Sequence, residues 1–219
     1  MMVFRAFLPE SATTRRFGGV CAIDAVAQIA PGERAKLKEV TDRYPFHANK
    51  YYLDLVDWDD QTDPIRQLII PQTGELTDWG DLDPSNEGAV TVAPGVQHKY
   101  DDTALLLCSR VCGASCRYCF CKRLFMDEND GVADDLSEGL AYIERHAGVS
   151  DVLLTGGDPL AMSTQRLVGI LQALRDIPHV EIIRIGSPRC PRSLPGGYRM
   201  IPGCKRPSES CRRVASGSI

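Results

Sequence analysis

Residues 104–121 read ALLLCSRVCGASCRYCFC, a short apolar run followed at once by a dense group of cysteines. The apolar run is uninterrupted, which predicts a buried β-strand. The stretch holds five of the chain's nine cysteines, all within fourteen residues: Cys108, Cys112, Cys116, Cys119 and Cys121. A secreted disulfide scaffold spreads its cysteines through the fold, so this group indicates instead a metal or iron–sulfur centre in a reducing compartment.

The residues that follow the cysteines alternate between helical and strand patterns. Leu136, Leu140 and Ile143 recur at helical spacing, and His146 and Gly148 are typical of a helix C-terminus. Three further apolar segments continue the pattern: a strand over 151–155, a helical stripe at Leu167, Ile170, Leu171 and Leu174, and a strand over 180–185. This order of elements predicts an α/β protein with a parallel sheet, which can be either open or closed into a barrel.

The spacing of three loop cysteines predicts an iron–sulfur cluster. Cys112, Cys116 and Cys119 form a C-x3-C-x2-C motif, whose thiolates can hold three corners of a [4Fe–4S] cube. The remaining iron has no protein ligand and can bind a substrate or cosubstrate. The tripeptide Gly156-Gly157-Asp158 follows the next predicted strand, and the ends of parallel strands gather on one face of the sheet. We therefore expect the tripeptide to lie beside the cysteine loop.

Other interpretations of the same residues remain open. Cys121 can complete a four-thiolate zinc site together with the three cysteines of the motif. The two glycines of the tripeptide can simply form the turn after the strand, while Asp158, which precedes Pro159, can cap a helix. Cys108 is expected to be a buried apolar residue at the strand end.

The overall composition indicates a globular protein and argues against some functional classes. The 219 residues are 43% hydrophobic and 25% charged, which suffices for one globular core. The formal net charge of -4 argues against a general nucleic-acid binder. We expect a cytoplasmic protein, because no apolar stretch is long enough to cross a bilayer and the N-terminus lacks the layout of a signal peptide.

The N-terminal region and the C-terminal tail show different sequence patterns. Residues 1–30 show no clear pattern, and residues 31–42 predict a short helix that begins at a proline. Five aspartates follow within residues 54–63; they can chelate a cation, but a solvated surface loop is the favoured interpretation. Residues 188–219 hold seven basic residues, one acid and five prolines, which predicts a disordered tail. This tail is interpreted either as an interaction arm or, preferably, as the product of a reading-frame change near Ser187.

Several of these motifs resemble those of a known family. Residues 112–120, CGASCRYCF, resemble the cluster loop of the radical S-adenosylmethionine superfamily, including an aromatic residue, Tyr118, before the last cysteine. Residues 151–160, DVLLTGGDPL, resemble the motif that follows in the lysine 2,3-aminomutase family, and residues 180–187, VEIIRIGS, resemble its next strand. Further similar segments, at 44–46, 49–52 and 63–66, extend the resemblance over about residues 35–187.

The resemblance implies a chemistry for the predicted site. The cysteines of the C-x3-C-x2-C motif would ligate a [4Fe–4S] cluster, and the amino and carboxylate groups of S-adenosylmethionine would chelate its open iron. Reductive cleavage would give methionine and a 5′-deoxyadenosyl radical, which abstracts hydrogen from a substrate amino acid. Gly156, Gly157 and Asp158 would hold the methionine amino group, and Tyr118 would lie near the adenine.

The resemblance also implies further cofactors, partners and a domain plan. In the family, pyridoxal phosphate carries the amino group during 1,2-amino migration. The implied partners are an amino-acid substrate, free or a protein-bound lysine, and an electron donor such as flavodoxin or ferredoxin; a homo-oligomer is possible, and neither nucleic acid nor membrane is expected. The implied fold is a partial radical-SAM βα barrel at 103–187, preceded by a mostly helical or irregular extension at 1–102 and followed by the tail at 188–219.

The sequence departs from the family pattern in three respects. Cys121 stands where the aminomutases have a basic residue for the substrate carboxylate, and a thiol cannot form such a pair; Lys122 and Arg123 are candidate replacements. The pyridoxal-binding lysine is absent, because the pattern stops before it and Lys205 stands in an unrelated context. The chain also has fewer βα units than a closed barrel needs. An inactive or unstable fragment is therefore a further hypothesis.

Overall fold

The protein is seen in a computed structural model, which describes residues 19–20, 22–77, 80–126 and 132–187. The chain divides into two units, residues 1–187 and 188–219. All of the second unit, including the predicted tail and Lys205, lies outside the described residues.

The elements of the described residues are numbered here in chain order. The strands are β1 (Gly19–Val20), β2 (Ala48–Asn49), β3 (Thr91–Ala93), β4 (Val96–Tyr100), β5 (Thr103–Ser109), β6 (Asp151–Gly156) and β7 (Ile182–Ile185). The α-helices are α1 (Pro31–Arg43), α2 (Lys50–Leu55), α3 (Pro64–Ile69), α4 (Glu87–Val90), α5 (Ser137–Arg145) and α6 (Thr164–Arg175). Short 3-10 turns occupy Ile23–Ala25, Thr73–Leu76, Lys122–Phe125 and Pro159–Ala161.

The main sheet has five strands in the order β3-β4-β5-β6-β7. The strands β5, β6 and β7 are parallel, with Leu106 opposite Leu154 and Leu154 opposite Ile185. The helix α5 lies between β5 and β6 in the chain, and α6 lies between β6 and β7. The predicted α/β class and parallel order are therefore confirmed. The antiparallel strands β3 and β4, which precede residue 103, were not predicted.

The larger apolar core packs α5 and α6 against this sheet. The residues of the two predicted helical stripes are buried in this core, apart from the half-buried Leu171: Leu136, which directly precedes α5, and Leu140, Ile143, Leu167, Ile170 and Leu174. Ser163 caps α6, because its hydroxyl accepts a hydrogen bond from the Arg166 N–H. The core thus fixes the strands whose ends carry the predicted site.

Truncating one core side chain of α6 is expected to destabilise the whole unit. Leu174 is fully buried, so Leu174→Ala removes packing and leaves a cavity, at a cost of about 3 kcal/mol. Gln172, in the same helix, is exposed, and Gln172→Ala is expected to change the free energy of unfolding by less than about 0.5 kcal/mol. Urea unfolding of the two variants checks the difference, and equal midpoints would contradict this packing.

The N-terminal part of the described chain forms a second apolar cluster. Its buried side chains come from α1, α2, α3 and the intervening segments, and include Ile23, Ile29, Leu37, Phe46, Leu53 and Ile69. Ala114 of the cysteine loop packs in the same cluster. The surface loop predicted over residues 54–63 is confirmed in part: Asp57, Asp59 and Asp60 are exposed, whereas Asp54 lies in α2 and the half-buried Asp63 caps α3. In the described residues, the helices are too short or too polar to span a membrane.

Candidate metal centre

The cysteine loop and the glycine tripeptide lie directly against each other. The loop leaves the sheet at the end of β5, and the tripeptide follows the end of the neighbouring parallel strand β6. The Gly157 N–H donates to the Ser109 carbonyl at 2.6 Å, and the Asp158 N–H donates to the Val111 carbonyl at 2.7 Å. Parallel strand order therefore brings the two predicted elements to one place, as expected.

Both glycines are needed because the two backbones approach so closely. Gly156 has φ +108°, and a Cβ there would lie 2.6 Å from the Ser109 carbonyl oxygen. A Cβ on Gly157 would lie 2.6 Å from the Val111 carbonyl oxygen. Real Cβ atoms do not come this close to backbone, so the two glycines permit the contact that seats the start of the cysteine loop.

Asp158 acts as a buried cap at this turn. Its Oδ1 accepts hydrogen bonds from the Leu160 N–H at 3.0 Å and from the Ser187 hydroxyl at 2.7 Å. The first of these caps the 3-10 turn Pro159–Ala161, which confirms the capping interpretation. Asp158 is fully buried, so its carboxylate stabilises the turn from the interior of the protein.

A segment of the N-terminal region wraps the middle of the cysteine loop. Ala48 forms an antiparallel bridge with Ala114, and the Asn49 N–H donates to the Gly113 carbonyl at 2.8 Å. A Cβ on Gly113 would lie 2.9 Å from the Tyr52 ring. The loop is therefore held on two sides, by the sheet and by the N-terminal region.

The three cysteines of the motif face a common cavity. The side chains of Cys112, Cys116 and Cys119 are half-buried and line a cavity of about 400 Å³. Its wall combines apolar side chains with a few polar and charged ones, among them Val40, Phe46, Ile69, Leu124, Glu75 and Lys122. Cys121, in contrast, packs against a small apolar cluster formed by Leu107, Leu124 and Val132.

The donor set of this cavity includes three thiols from one loop, and three thiolates are the protein ligands that the predicted [4Fe–4S] cube needs. Among the described residues, no three or more His, Cys, Asp or Glu side chains are grouped so that they could hold one metal ion. The four-thiolate zinc site therefore has no support from this geometry. A [4Fe–4S] cube binds each thiolate at a separate iron, and the three cysteines of the motif line one cavity.

The thiols of the loop differ in acidity. Burial, followed by repulsion from Cys119 and Asp158, raises the pKa of Cys112 to about 12, and burial also raises the pKa of Cys116. A hydrogen bond from Cys121 lowers the pKa of Cys119 to about 6. Metal ligation requires thiolates, so a metal centre bound here would have to displace protons from Cys112 and Cys116.

The remaining residues of the predicted site differ in exposure and in their partners; they are Tyr118, Lys122 and Arg123. Tyr118 is 70% exposed, and the Arg117 guanidinium lies 5.4 Å from its ring centroid. Lys122 is paired with Glu75 at 2.5 Å, and Arg123 is paired with Glu87 at 2.7 Å. The two candidate replacements for the family's basic residue are thus already engaged by carboxylates of the N-terminal region.

Glu75 is the residue of this site that sequence reasoning missed. Its carboxylate accepts hydrogen bonds from Arg117 Nε at 2.8 Å and from Lys122 Nζ at 2.5 Å. The only sequence signal was the spacing of Gln72 and Glu75, which form a capping box around a 3-10 turn. Nothing in that spacing indicates partners more than forty residues away.

The contact made by Glu75 is expected to weaken in acid. Burial alone raises the pKa of Glu75, but hydrogen bonds from Lys122, the Gln72 N–H and Arg117 outweigh it and hold the pKa below its ordinary value of 4.5. The unfolded chain therefore binds the proton more readily, so the stabilisation is complete above the ordinary pKa and is lost as the pH falls through the native pKa. Comparison of wild type with Glu75→Gln by urea unfolding should show a stability difference at pH 6 that shrinks towards pH 3. A difference that does not change with pH would contradict this.

Comparison with curated proteins finds relatives that are named as 2,3-aminomutases. A protein of Aquifex aeolicus, named provisionally as an L-lysine 2,3-aminomutase, is 54% identical over 162 residues, 74% of this chain and 43% of that protein. The L-lysine 2,3-aminomutase of Clostridium subterminale is 42% identical over 148 residues, 66% of this chain and 35% of the relative. The glutamate 2,3-aminomutase of Clostridioides difficile is 31% identical over 176 residues, 80% of this chain and 42% of the relative.

The matches cover a larger share of this chain than of each relative. The chain spans less than half the length of the curated relatives it matches. No family model matches the chain.

Proposed function

This chain belongs to the lysine 2,3-aminomutase family, and from that premise we propose that it provides the cluster-binding and S-adenosylmethionine-binding part of a radical amino-acid 2,3-aminomutase. The observation that carries the proposal is the arrangement of Cys112, Cys116 and Cys119, whose half-buried side chains face one cavity from a single loop. The parallel units β5-α5-β6-α6-β7 would then be the first part of a radical-SAM barrel.

Each part of the site has a proposed task. The three thiolates would hold a [4Fe–4S] cluster, which when bound would supply the electron for reductive cleavage of S-adenosylmethionine to methionine and a 5′-deoxyadenosyl radical. The backbone of Gly156 and Gly157 receives the methionine amino group, and Asp158 contributes by fixing the turn. The exposed ring of Tyr118 is free to stack on the adenine.

The substrate and electron donor are proposed at the level of chemical class. Relatives are named for lysine and for glutamate, so the proposed substrate is an amino acid with a migrating α-amino group. The proposed electron donor is a small flavin or iron–sulfur protein of the flavodoxin or ferredoxin type. Pyridoxal phosphate is not assigned to a residue of this chain, because the resemblance stops before the family's lysine and Lys205 lies outside the described residues.

Anaerobic reconstitution with iron and sulfide tests this proposal. We expect a brown protein with about four irons per chain, which releases 5′-deoxyadenosine when reduced in the presence of S-adenosylmethionine. A colourless protein that binds a single zinc ion with high affinity would contradict the proposal and support the non-catalytic alternative. Metal analysis and chromatography of the nucleoside product separate the two outcomes.

A further inference from the structure

We propose that Glu75 is a positioning residue for the iron–sulfur cluster, an inference that rests on the proposed function. Glu75 lies in a 3-10 turn of the N-terminal region, at Thr73–Leu76, more than thirty residues before the cysteine motif. Its carboxylate nevertheless lines the same cavity as the three thiols. It ties the part of the loop around Cys119 to the N-terminal region and sets the local charge.

The first argument is the position of the two cations that Glu75 binds. Oε1 accepts from Arg117 Nε at 2.8 Å, and Arg117 directly follows Cys116. Oε2 accepts from Lys122 Nζ at 2.5 Å, and Lys122 is three residues after Cys119. A single carboxylate therefore binds the residue that directly follows Cys116 and a residue three positions after Cys119, and the segment between these two partners carries Cys119.

The second argument is burial. The side chains of Glu75, Arg117 and Lys122 are only 14%, 12% and 19% exposed. An ion pair in such a setting has lost much of its hydration, so removal of one partner leaves a poorly solvated charge and is far more disruptive than loss of a surface pair. The Glu75 contacts should therefore restrain the loop, unlike the exposed pair between Lys38 and Asp42.

The third argument is that both cations make further contacts with the same N-terminal region. Arg117 also donates to the Gln67 carbonyl at 2.8 Å and to Gln72 Oε1 at 3.1 Å. The Lys122 ammonium lies 4.0 Å from the centroid of the Tyr44 ring. Glu75 is the only charged acceptor that both cations share among the described residues, so it links these contacts into one network.

The charge of Glu75 predicts an effect that a purely structural residue would not have. A carboxylate beside the cavity opposes the addition of an electron to the cluster, so it lowers the reduction potential. Glu75→Gln removes this charge and leaves Arg117 and Lys122 without their common counter-ion. The substitution makes the net charge beside the cavity more positive by one, which favours the reduced cluster, so the potential should rise.

The experiment compares Glu75→Gln with a matched control, Glu33→Gln, in the full chain. Glu33 is also a carboxylate of the N-terminal region in an ion pair, with Arg66 at 3.0 Å, but it does not line the cavity of the cysteines. After anaerobic reconstitution, we expect Glu75→Gln to lose iron to a chelator roughly tenfold faster than the control and to show a higher reduction potential. Glu75→Asp, which keeps the charge, should restore the potential towards that of wild type.

A second readout does not depend on the cluster. In the metal-free chain, thiol labelling followed by mass spectrometry should show faster modification of Cys116 and Cys119 in Glu75→Gln than in Glu33→Gln. Equal labelling, iron loss and potential in the two variants would overturn the inference. Failure of every variant, including wild type, to take up iron would instead refute the proposed function, and labelling would still decide whether Glu75 positions the loop.

Discussion

Gly157→Ala is expected to displace the start of the cysteine loop from the sheet and to abolish iron binding. A Cβ at this position would lie 2.6 Å from the Val111 carbonyl oxygen and 2.9 Å from the Val111 nitrogen. These neighbours are backbone atoms, so the loop has to move away and the hydrogen bond from Gly157 to Ser109 is lost with it. We expect a loss of about 3 kcal/mol or more in the free energy of unfolding, together with failed cluster assembly.

Gly32→Ala provides the matched control for this substitution. Gly32 lies in the first turn of α1, and a Cβ there would meet no atom within 4 Å. Alanine is favoured over glycine in a helix by roughly 0.5–1 kcal/mol, so this variant should be at least as stable as wild type and should bind iron fully. Urea unfolding and iron analysis check both variants. If Gly157→Ala matched Gly32→Ala in both assays, the close contact between tripeptide and loop would be wrong.

Alanine substitution of the three motif cysteines is expected to have the second large effect, which is the loss of bound iron. Alanine at Cys112, Cys116 or Cys119 removes one of three corner ligands, and two thiolates are not enough to retain the cube. Each single variant should therefore lose its bound iron and its formation of 5′-deoxyadenosine. Iron analysis after anaerobic reconstitution and product chromatography measure these losses.

Cys121→Ser tests whether a fourth cysteine takes part. Cys121 packs against Leu107, Leu124 and Val132, so serine should cost some stability but leave the iron content unchanged. A four-thiolate site predicts the opposite, namely that Cys121→Ser loses its metal as completely as the other three variants. That outcome would show that four thiolates hold the metal and that no coordination position is left for a cosubstrate.

The elements that could be predicted from the sequence are those with a buried face and a regular period. The apolar stripe of α6 belongs to a helix buried against the sheet, so Leu167, Ile170 and Leu174 recur at helical spacing. The strands β3 and β4 escaped prediction because they are short and mixed in character. In β4, Val96 and Gln97 are buried side by side while Lys99 and Tyr100 are exposed, so no alternation appears.

The site could be predicted only where its residues are close in the chain. The cysteine motif is local, and the parallel strand order was sufficient to bring Gly157 beside it. The Glu75 network joins partners 42 and 47 residues apart, and its formation depends on how the N-terminal region packs on the loop. For the same reason, the sequence did not reveal that Lys122 and Arg123 are paired with carboxylates.

The vacant corner of the cluster can be observed directly by electron paramagnetic resonance of the reduced protein. If three thiolates leave one iron open, addition of S-adenosylmethionine should change the signal of wild type and of Cys121→Ser, and 5′-deoxyadenosine should follow. A protein fully loaded with iron whose signal is unaffected by S-adenosylmethionine, and which releases no deoxyadenosine, would contradict an open iron at this site.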